Sequence, residues 1–209
     1  SFLVKNEIGY KNLIYLSSIS YLKKETDVGI TIKDLENHSE GLFCFLGGEY
    51  NPLMILQNEN KNTDEFINIF KKLFKNNFLF ELQRINDLEI DSFESFLINK
   101  SNQFNIPLIA SNNIKFGEKE EFAAHDALLC VAQKTTINNG SRKTSNNQIA
   151  FKNDDEMFEL FSDMPEIIEN NFNVAISCSY YPKEVTPKLP KFKNNLNLTE
   201  SQLLVKMAK

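Results

Sequence analysis

The chain has 209 residues, 42% hydrophobic, 24% charged and 11% aromatic, a mix that suits one soluble globular domain or slightly more and a core burying roughly 70% of the unfolded chain's surface. Its net charge of −5 argues against a surface built to hold DNA by itself, because phosphate binding depends on clustered Lys and Arg. No apolar run approaches the roughly 20 residues of a membrane span, no basic-then-apolar leader opens the chain, and Cys44, Cys130 and Cys178 are too few and scattered for a disulfide framework or zinc site; a cytoplasmic protein without membrane contact is expected.

Residues 1–5 read as the end of a strand, and 8–24 as a helix whose apolar residues recur at helical spacing. A polar connector through Asn37 leads to the apolar run 41–46, a buried strand stopped by Gly47 and Gly48. Residues 64–75 form the clearest helix, with Phe66, Phe70, Leu73 and Phe74 on one stripe, Asp64 and Glu65 in its first turn, and Lys71, Lys72 and Lys75 near its end. A strand at 78–82, a helix at 92–102 and a strand at 106–110 come next. Short apolar strands alternating with helices imply parallel pairing in an α/β sheet or barrel.

Residues 120–132 are expected to be helical and 135–151 an exposed loop rich in Asn and Ser. Asn153 and Glu156 have capping-box spacing before a helix carrying Met157, Phe158, Leu160 and Phe161. Pro165 opens another, with Ile168, Phe172, Ala175 and Ile176 on one face. After Cys178 the prolines 182, 187 and 190 predict a crossing segment, and Thr199 caps a last helix. The 27 Asn, and 21 Lys against only Arg84 and Arg142, read as drift toward AT-rich codons. The Ser1 start and the interrupted last helix suggest a piece of a longer polypeptide.

In parallel α/β folds reactive groups gather at the C-terminal ends of strands. Those positions carry Gly47, Gly48 and Glu49, then Gln83 and Arg84, then Ser111, Asn112, Asn113 and Lys115. Only Glu49 is an outright metal ligand, and one carboxylate among amides and a lysine makes a poor cage. His38 reads as a solvated connector residue and His125 as a hydrogen-bonded structural one on a helix. Glu81 alternates outward from Phe80 and Leu82 into a barrel interior or polar cleft, where Lys115 or Arg84 could pair with it. No phosphate loop or nucleophile elbow is present. The Lys71, Lys72, Lys75 group and the lysines of 183–193 read as solvated faces, and the Phe stripes as core.

The order of segments resembles the PHP (polymerase and histidinol phosphatase) domain of bacterial DNA polymerase III α subunits. Asn6-Glu-Ile-Gly-Tyr-Lys-Asn-Leu13 is similar to that family's helix opening, and Glu40-Gly-Leu-Phe-Cys-Phe-Leu-Gly-Gly48 to its Glu-Gly-Leu strand with a Ser-Gly turn. Phe78-Leu-Phe-Glu-Leu-Gln83 and Ile106-Pro-Leu-Ile-Ala-Ser-Asn112 resemble two further strands. Asp155-Glu-Met-Phe-Glu-Leu-Phe-Ser-Asp-Met-Pro-Glu166, with Asn170 and Ala175-Ile-Ser-Cys178, carries the most specific signature. Leu189-Pro-Lys-Phe192 and Thr199-Glu-Ser-Gln-Leu-Leu204 resemble the exit toward a polymerase palm.

The resemblance implies a partial, distorted (β/α)7 PHP-type barrel: residues 1–178 as its later two thirds, 179–209 as a connector and first helix toward the palm. Metal-binding members use upstream His-x-His and Asp-His-Gly motifs, a Cys after the Ser-Gly turn, and an Asp-x-His pair. Here Gly48, Asn113 and Lys115 occupy those last positions, so no catalytic, cofactor or metal residue is expected in this segment. The resemblance thus implies a catalytically degenerate domain of a DNA-directed DNA polymerase in chromosomal replication, docking a proofreading exonuclease and other replicase subunits. Magnesium and DNA belong to domains outside the chain. The alternatives are a stand-alone metal-dependent phosphoesterase of the histidinol-phosphatase type, or an interaction scaffold unrelated to replication.

Overall fold

The computed structural model describes residues 1–22, 29–48, 51–142, 144–188, 192, 196 and 198–208. Four strands, β1 (Phe2–Val4), β2 (Leu42–Gly47), β3 (Phe78–Gln83) and β4 (Leu108–Ser111), form one sheet in that order. The helices are α1 (Glu7–Leu22), α2 (Ile32–His38), α3 (Pro52–Asn58), α4 (Thr63–Phe74), α5 (Leu88–Phe104), α6 (Phe122–Ala132), α7 (Asp154–Leu160), α8 (Pro165–Ser177) and α9 (Glu200–Ala208). The fold is mixed α/β.

β2, β3 and β4 pair in parallel, with Gly47 opposite Glu81 and Gln83 opposite Ser111. The first pair departs from the parallel expectation: β1 runs antiparallel to β2, Leu3 opposite Phe43. Residue alternation sorts the strands into two faces. Leu42, Cys44, Leu46, Phe78, Phe80, Leu82 and Ala110 enter the main core with α1 to α5. Phe43, Phe45, Leu79 and Ile109 form a smaller cluster on the other face, against Val174 and Cys178.

The α4 stripe buries Ile67, Phe70 and Phe74, and its rings continue into the sheet, Phe70 to Phe78 at 6.0 Å and Phe78 to Phe80 at 5.5 Å. Such ring pairs add to area burial. Gly9 and Gly41 bring α1 onto the start of β2, where a Cβ on Gly9 would lie 1.8 Å from the Gly41 carbonyl oxygen. Asn6 accepts from the Gly9 amide at 3.1 Å, which ties the Asn6 to Leu13 motif to that contact.

Several expectations are corrected. The connector through Asn37 contains α2, opened by a reciprocal Thr31 and Asp34 capping box. His38 is therefore no solvated loop residue: its ring stacks on Tyr15 at 4.0 Å and Nδ1 lies 3.1 Å from Asn12 Oδ1. α3 has no counterpart among the expected elements, although Asn51 accepting from the Leu53 amide, then Pro52, is a helix start. α5 begins four residues before the expected Ser92, capped by Asp87. β4 starts after Pro107, which has no amide to give a ladder.

On α8 the expected apolar face is only partly covered: Ile168 packs against the core, but the rest of it turns outward. Ile167 is buried, while Phe172 and Ile176 are exposed. Asn170 and Asn171 take the sheet side because β4 presents an open edge: Asn171 accepts from the Ala110 amide at 3.0 Å and donates to its carbonyl at 2.8 Å, and Asn170 donates to the Leu108 carbonyl at 2.8 Å. Two side-chain amides stand where a neighbouring strand would bond.

The Asn153 and Glu156 capping box forms as expected, and residues 179–188 have no regular structure. Lys23, Lys24, Lys191, Lys193, Leu189 and Pro190 lie outside the described residues. No helix of the described residues is long and apolar enough to cross a membrane.

Candidate functional site

The smaller sheet face changes character along its length. Phe43, Phe45, Leu79 and Ile109 make an apolar floor, and the next positions toward the strand ends are Gly47, Glu81, Gln83 and Ser111. There a cavity of about 310 Å³ opens, lined in part by Gly48, Pro52, Glu81, Gln83, Asn113 and Lys115. The three positions singled out from the sequence, Gly48, Asn113 and Lys115, thus border one cavity. Glu49 lies outside the described residues.

Glu81 projects toward this cavity, as its alternation predicts, but its partners differ from those expected. Its Oε1 accepts from Gln83 Nε2 at 3.2 Å and from the Ser111 hydroxyl. Gln83 Nε2 also donates to Ser111 Oγ at 3.1 Å. Arg84 faces away, because the next residue along a strand points to the opposite side. Its guanidinium donates to Glu94 at 2.6 Å and Asp163 at 2.5 Å, donates to the Leu160 carbonyl at 2.7 Å, and covers the Phe161 ring at 4.7 Å. That guanidinium holds the Asp163 carboxyl below the usual carboxylate range.

Gly48 has φ +69°, and a Cβ built on it would meet Gln83 Nε2 at 2.7 Å. The Gln83 amide thus fills the space a side chain at 48 would need. Gln83 is 9% exposed, and its Oε1 has no hydrogen-bond partner among the described residues. Local sequence does not assemble the Glu81, Gln83 and Ser111 cluster, although the alternation of Leu79, Glu81, Gln83 against Ile109, Ser111 carries the signal.

The other candidates lie elsewhere. His125 Nδ1 sits 3.1 Å from Ser145 Oγ, with its ring 5.1 Å from Phe116, and Asp126 pairs with Arg142 through two contacts of 2.6 Å. Asn112 donates to the Ala150 carbonyl at 2.7 Å. Cys44 is buried, and burial pushes its thiol up to about 12, far from a reactive thiolate. Lys71 donates to the Phe104 carbonyl at 2.5 Å, at the C-terminal end of α5.

The donor chemistry does not fit a divalent metal. Among the described residues no three of His, Cys, Asp and Glu lie together, and the side chains lining the cavity offer one carboxylate, two amides, the Lys115 ammonium and the Ser1 hydroxyl. Neutral amides are weak ligands for zinc, and the ammonium adds like charge.

Comparison with known proteins gives a likeness that covers part of the chain and one that covers nearly all of it. The family model for the PHP domain matches residues 1–85. The kinship extends past that PHP segment: the chain is 34% identical over 212 residues to DNA polymerase III subunit alpha of Rickettsia bellii, covering 99% of this chain. Identity is 38% over 181 residues with the same subunit of Borreliella burgdorferi, covering 84% of the chain, and 36% over 203 residues with that of Campylobacter jejuni, covering 90%. The chain spans only 18%, 16% and 17% of these relatives' own lengths. Glu81, Gln83 and Gly48 fall inside the PHP match, and Asn113 and Lys115 within the longer alignments.

Proposed function

We propose that this chain is a segment of a replicative DNA polymerase, the α subunit of a DNA polymerase III, acting in chromosomal DNA replication. The observation that carries this reading is identity above 30% to that subunit along almost the whole chain. The segment belongs to a distorted (β/α)7 PHP-type barrel whose later strands are β2, β3 and β4, over residues 1–178, with 179–209 leading toward the palm. Nucleotidyl transfer, with its magnesium and its DNA, is done by domains outside this chain. Gly48, Asn113 and Lys115 stand at former ligand positions, so the PHP site is degenerate. It serves as structure and as a docking module for a proofreading exonuclease and other replicase subunits in the cytoplasm.

Primer extension tests the reading. The full-length gene product is expected to extend a primed template with magnesium present, and absence of template-dependent synthesis would overturn the assignment. Co-purification of a 3′–5′ exonuclease with the full-length protein is expected, and its loss would remove the docking role. A stand-alone phosphoesterase has no observation in its favour: among the described residues no three of His, Cys, Asp and Glu lie together.

A further inference from the structure

Among the 27 Asn of the chain, Asn139 alone precedes a glycine. Both residues are exposed, in the loop that follows α6. The Asn139 side chain is nevertheless held in place. Its Nδ2 donates to Thr135 Oγ1 at 2.9 Å, and its Oδ1 accepts twice from Ser141, from the backbone amide at 3.1 Å and from the hydroxyl at 2.8 Å. Two donors converging on one carbonyl oxygen at such distances are what stabilises charge that develops there. The Gly140 amide, next to this side chain in sequence, makes no hydrogen bond among the described residues, and a Cβ on Gly140 would meet nothing within 4 Å. A free backbone nitrogen, a polarised carbonyl carbon and open access to water thus share one turn.

We propose that Asn139 is a self-modification site, where the chain converts its own side-chain amide to a carboxylate through a cyclic imide. The Gly140 nitrogen gives its proton to water and bonds to Asn139 Cγ, and the charge that develops on Oδ1 meets the two Ser141 donors. The Cγ–Nδ2 bond then breaks; the leaving nitrogen takes a proton from water and departs as ammonia. Water opens the imide at either carbonyl, giving aspartate or isoaspartate, so the sum is amide plus water to acid plus ammonia. The product carries one more negative charge, and isoaspartate adds a methylene to the main chain just before Arg142. The Arg142 amide rests on the Asn139 carbonyl at 3.4 Å, and its guanidinium clamps Asp126 of α6 through two contacts of 2.6 Å. α6 buries only Cys130 of its own residues, so it leans on this clamp, and conversion loosens it.

The test ages the full-length protein at mildly alkaline pH in water labelled with heavy oxygen and follows its peptides by mass spectrometry, with isoaspartate read by its methyltransferase. The peptide spanning 135–142 is expected to gain the label and the acid mass before any peptide carrying the other Asn residues, and faster as pH rises, because the Gly140 nitrogen must lose its proton. Gly140→Ala fits the open space, yet its methyl crowds the attacking nitrogen, so conversion should slow about tenfold. Ser141→Ala keeps the backbone donor and removes the hydroxyl, and should slow conversion about fivefold, less than a donor is worth in a dry site. Hydrogen exchange in 122–132 should rise with the converted fraction and hold steady in equally aged Gly140→Ala. Earlier conversion of another Asn, a Ser141→Ala protein that converts as fast as wild type, or α6 exchange unmoved by conversion would overturn the proposal. None of these readouts involves primer extension, so failure of the function proposed above leaves the inference standing.

Discussion

The first 111 residues and the remainder hold together by different means. Before residue 112 the sheet and its helices bury a continuous apolar core, with Leu42, Leu53, Ile67 and Phe80 at 0% exposure. Beyond it the buried apolar positions among the described residues are Cys130, Ile149, Ala150, Phe161, Ile167 and Leu203, while Leu128, Val131, Phe158, Phe172 and Ile176 are more than half exposed. The second region reaches the same core through Ile149, Phe161 and Ile167, and polar staples supply much of the rest of its hold: Arg84 to Asp163 and Leu160, Asn171 to Ala110, Asn146 to the Ile85 carbonyl at 2.8 Å, and the Ser179 amide to the Lys5 carbonyl at 3.0 Å. Apolar burial scales with area and has no direction, whereas a staple depends on one geometry. The first region should therefore unfold only globally, and the second should open locally.

Phe80→Ala strikes the first region hardest. The ring is fully buried and in edge contact with Phe78, so its loss leaves a cavity and costs about 4 kcal/mol. Chemical denaturation should show a lower midpoint for the sheet and for everything docked on it. Arg84→Ala attacks the boundary instead. It removes the donations to Glu94, Asp163 and the Leu160 carbonyl, at a site where the Arg84 side chain is 22% exposed, and should cost about 2 to 3 kcal/mol. Hydrogen exchange should rise in 154–177 and stay near wild type in β2 and β3. Equal loss in both regions would erase the distinction.

Asn171→Ala is a smaller cut at the same boundary. It takes two hydrogen bonds from the edge of β4 and should cost about 1 to 2 kcal/mol. It also bares that edge, so concentration-dependent self-association should appear in sedimentation. Asn171→Asp tests the geometry, since a carboxylate still accepts from the Ala110 amide but cannot donate to its carbonyl; it should behave like the Ala variant rather than like wild type.

The same division governs how much of the molecule is legible in its sequence. Strands and the α4 stripe are legible because period-2 and period-3.6 apolar patterns report burial directly, as in Phe78, Phe80, Leu82 and in Phe70, Phe74. α8 misleads because its apolar residues Phe172 and Ile176 are not the ones the fold buries; the open edge of β4 selects amides, and no local pattern encodes an edge 61 residues away. The Asn excess reads as codon drift, yet Asn51, Asn62, Asn146 and Asn153 cap helical turns, and Asn60, Asn86 and Asn105 take positive φ. At the cavity, the strand-end rule locates Gly48, Asn113 and Lys115. It does not reveal that Glu81 is held by Gln83 and Ser111, because that depends on the register setting Gln83 opposite Ser111.

Acid should separate the two regions without any substitution. The Arg84 guanidinium holds Asp163 below its ordinary value, and Arg142 does the same to Asp126. A carboxyl whose folded pKa is depressed contributes stability that is fully present above its unfolded value, about 4, and is lost as pH falls through the lower folded pKa. In the first region Asp64 follows this rule through Lys100, but Asp91 opposes it: burial and the Asp87 charge raise its pKa, so protonation there favours the folded form. Lowering pH from about 5 toward 2 should thus lower hydrogen-exchange protection, relative to the unfolded chain at the same pH, in 146–177 before β2 and β3 respond. Asp163→Asn should remove part of that pH dependence while lowering protection at neutral pH, a smaller effect than Asn171→Ala because Asp163 is 59% exposed and its pairing is screened. If both regions lose protection at the same pH, the staples do not carry the second region, and its exposed apolar residues must be covered by something other than this chain's own sheet.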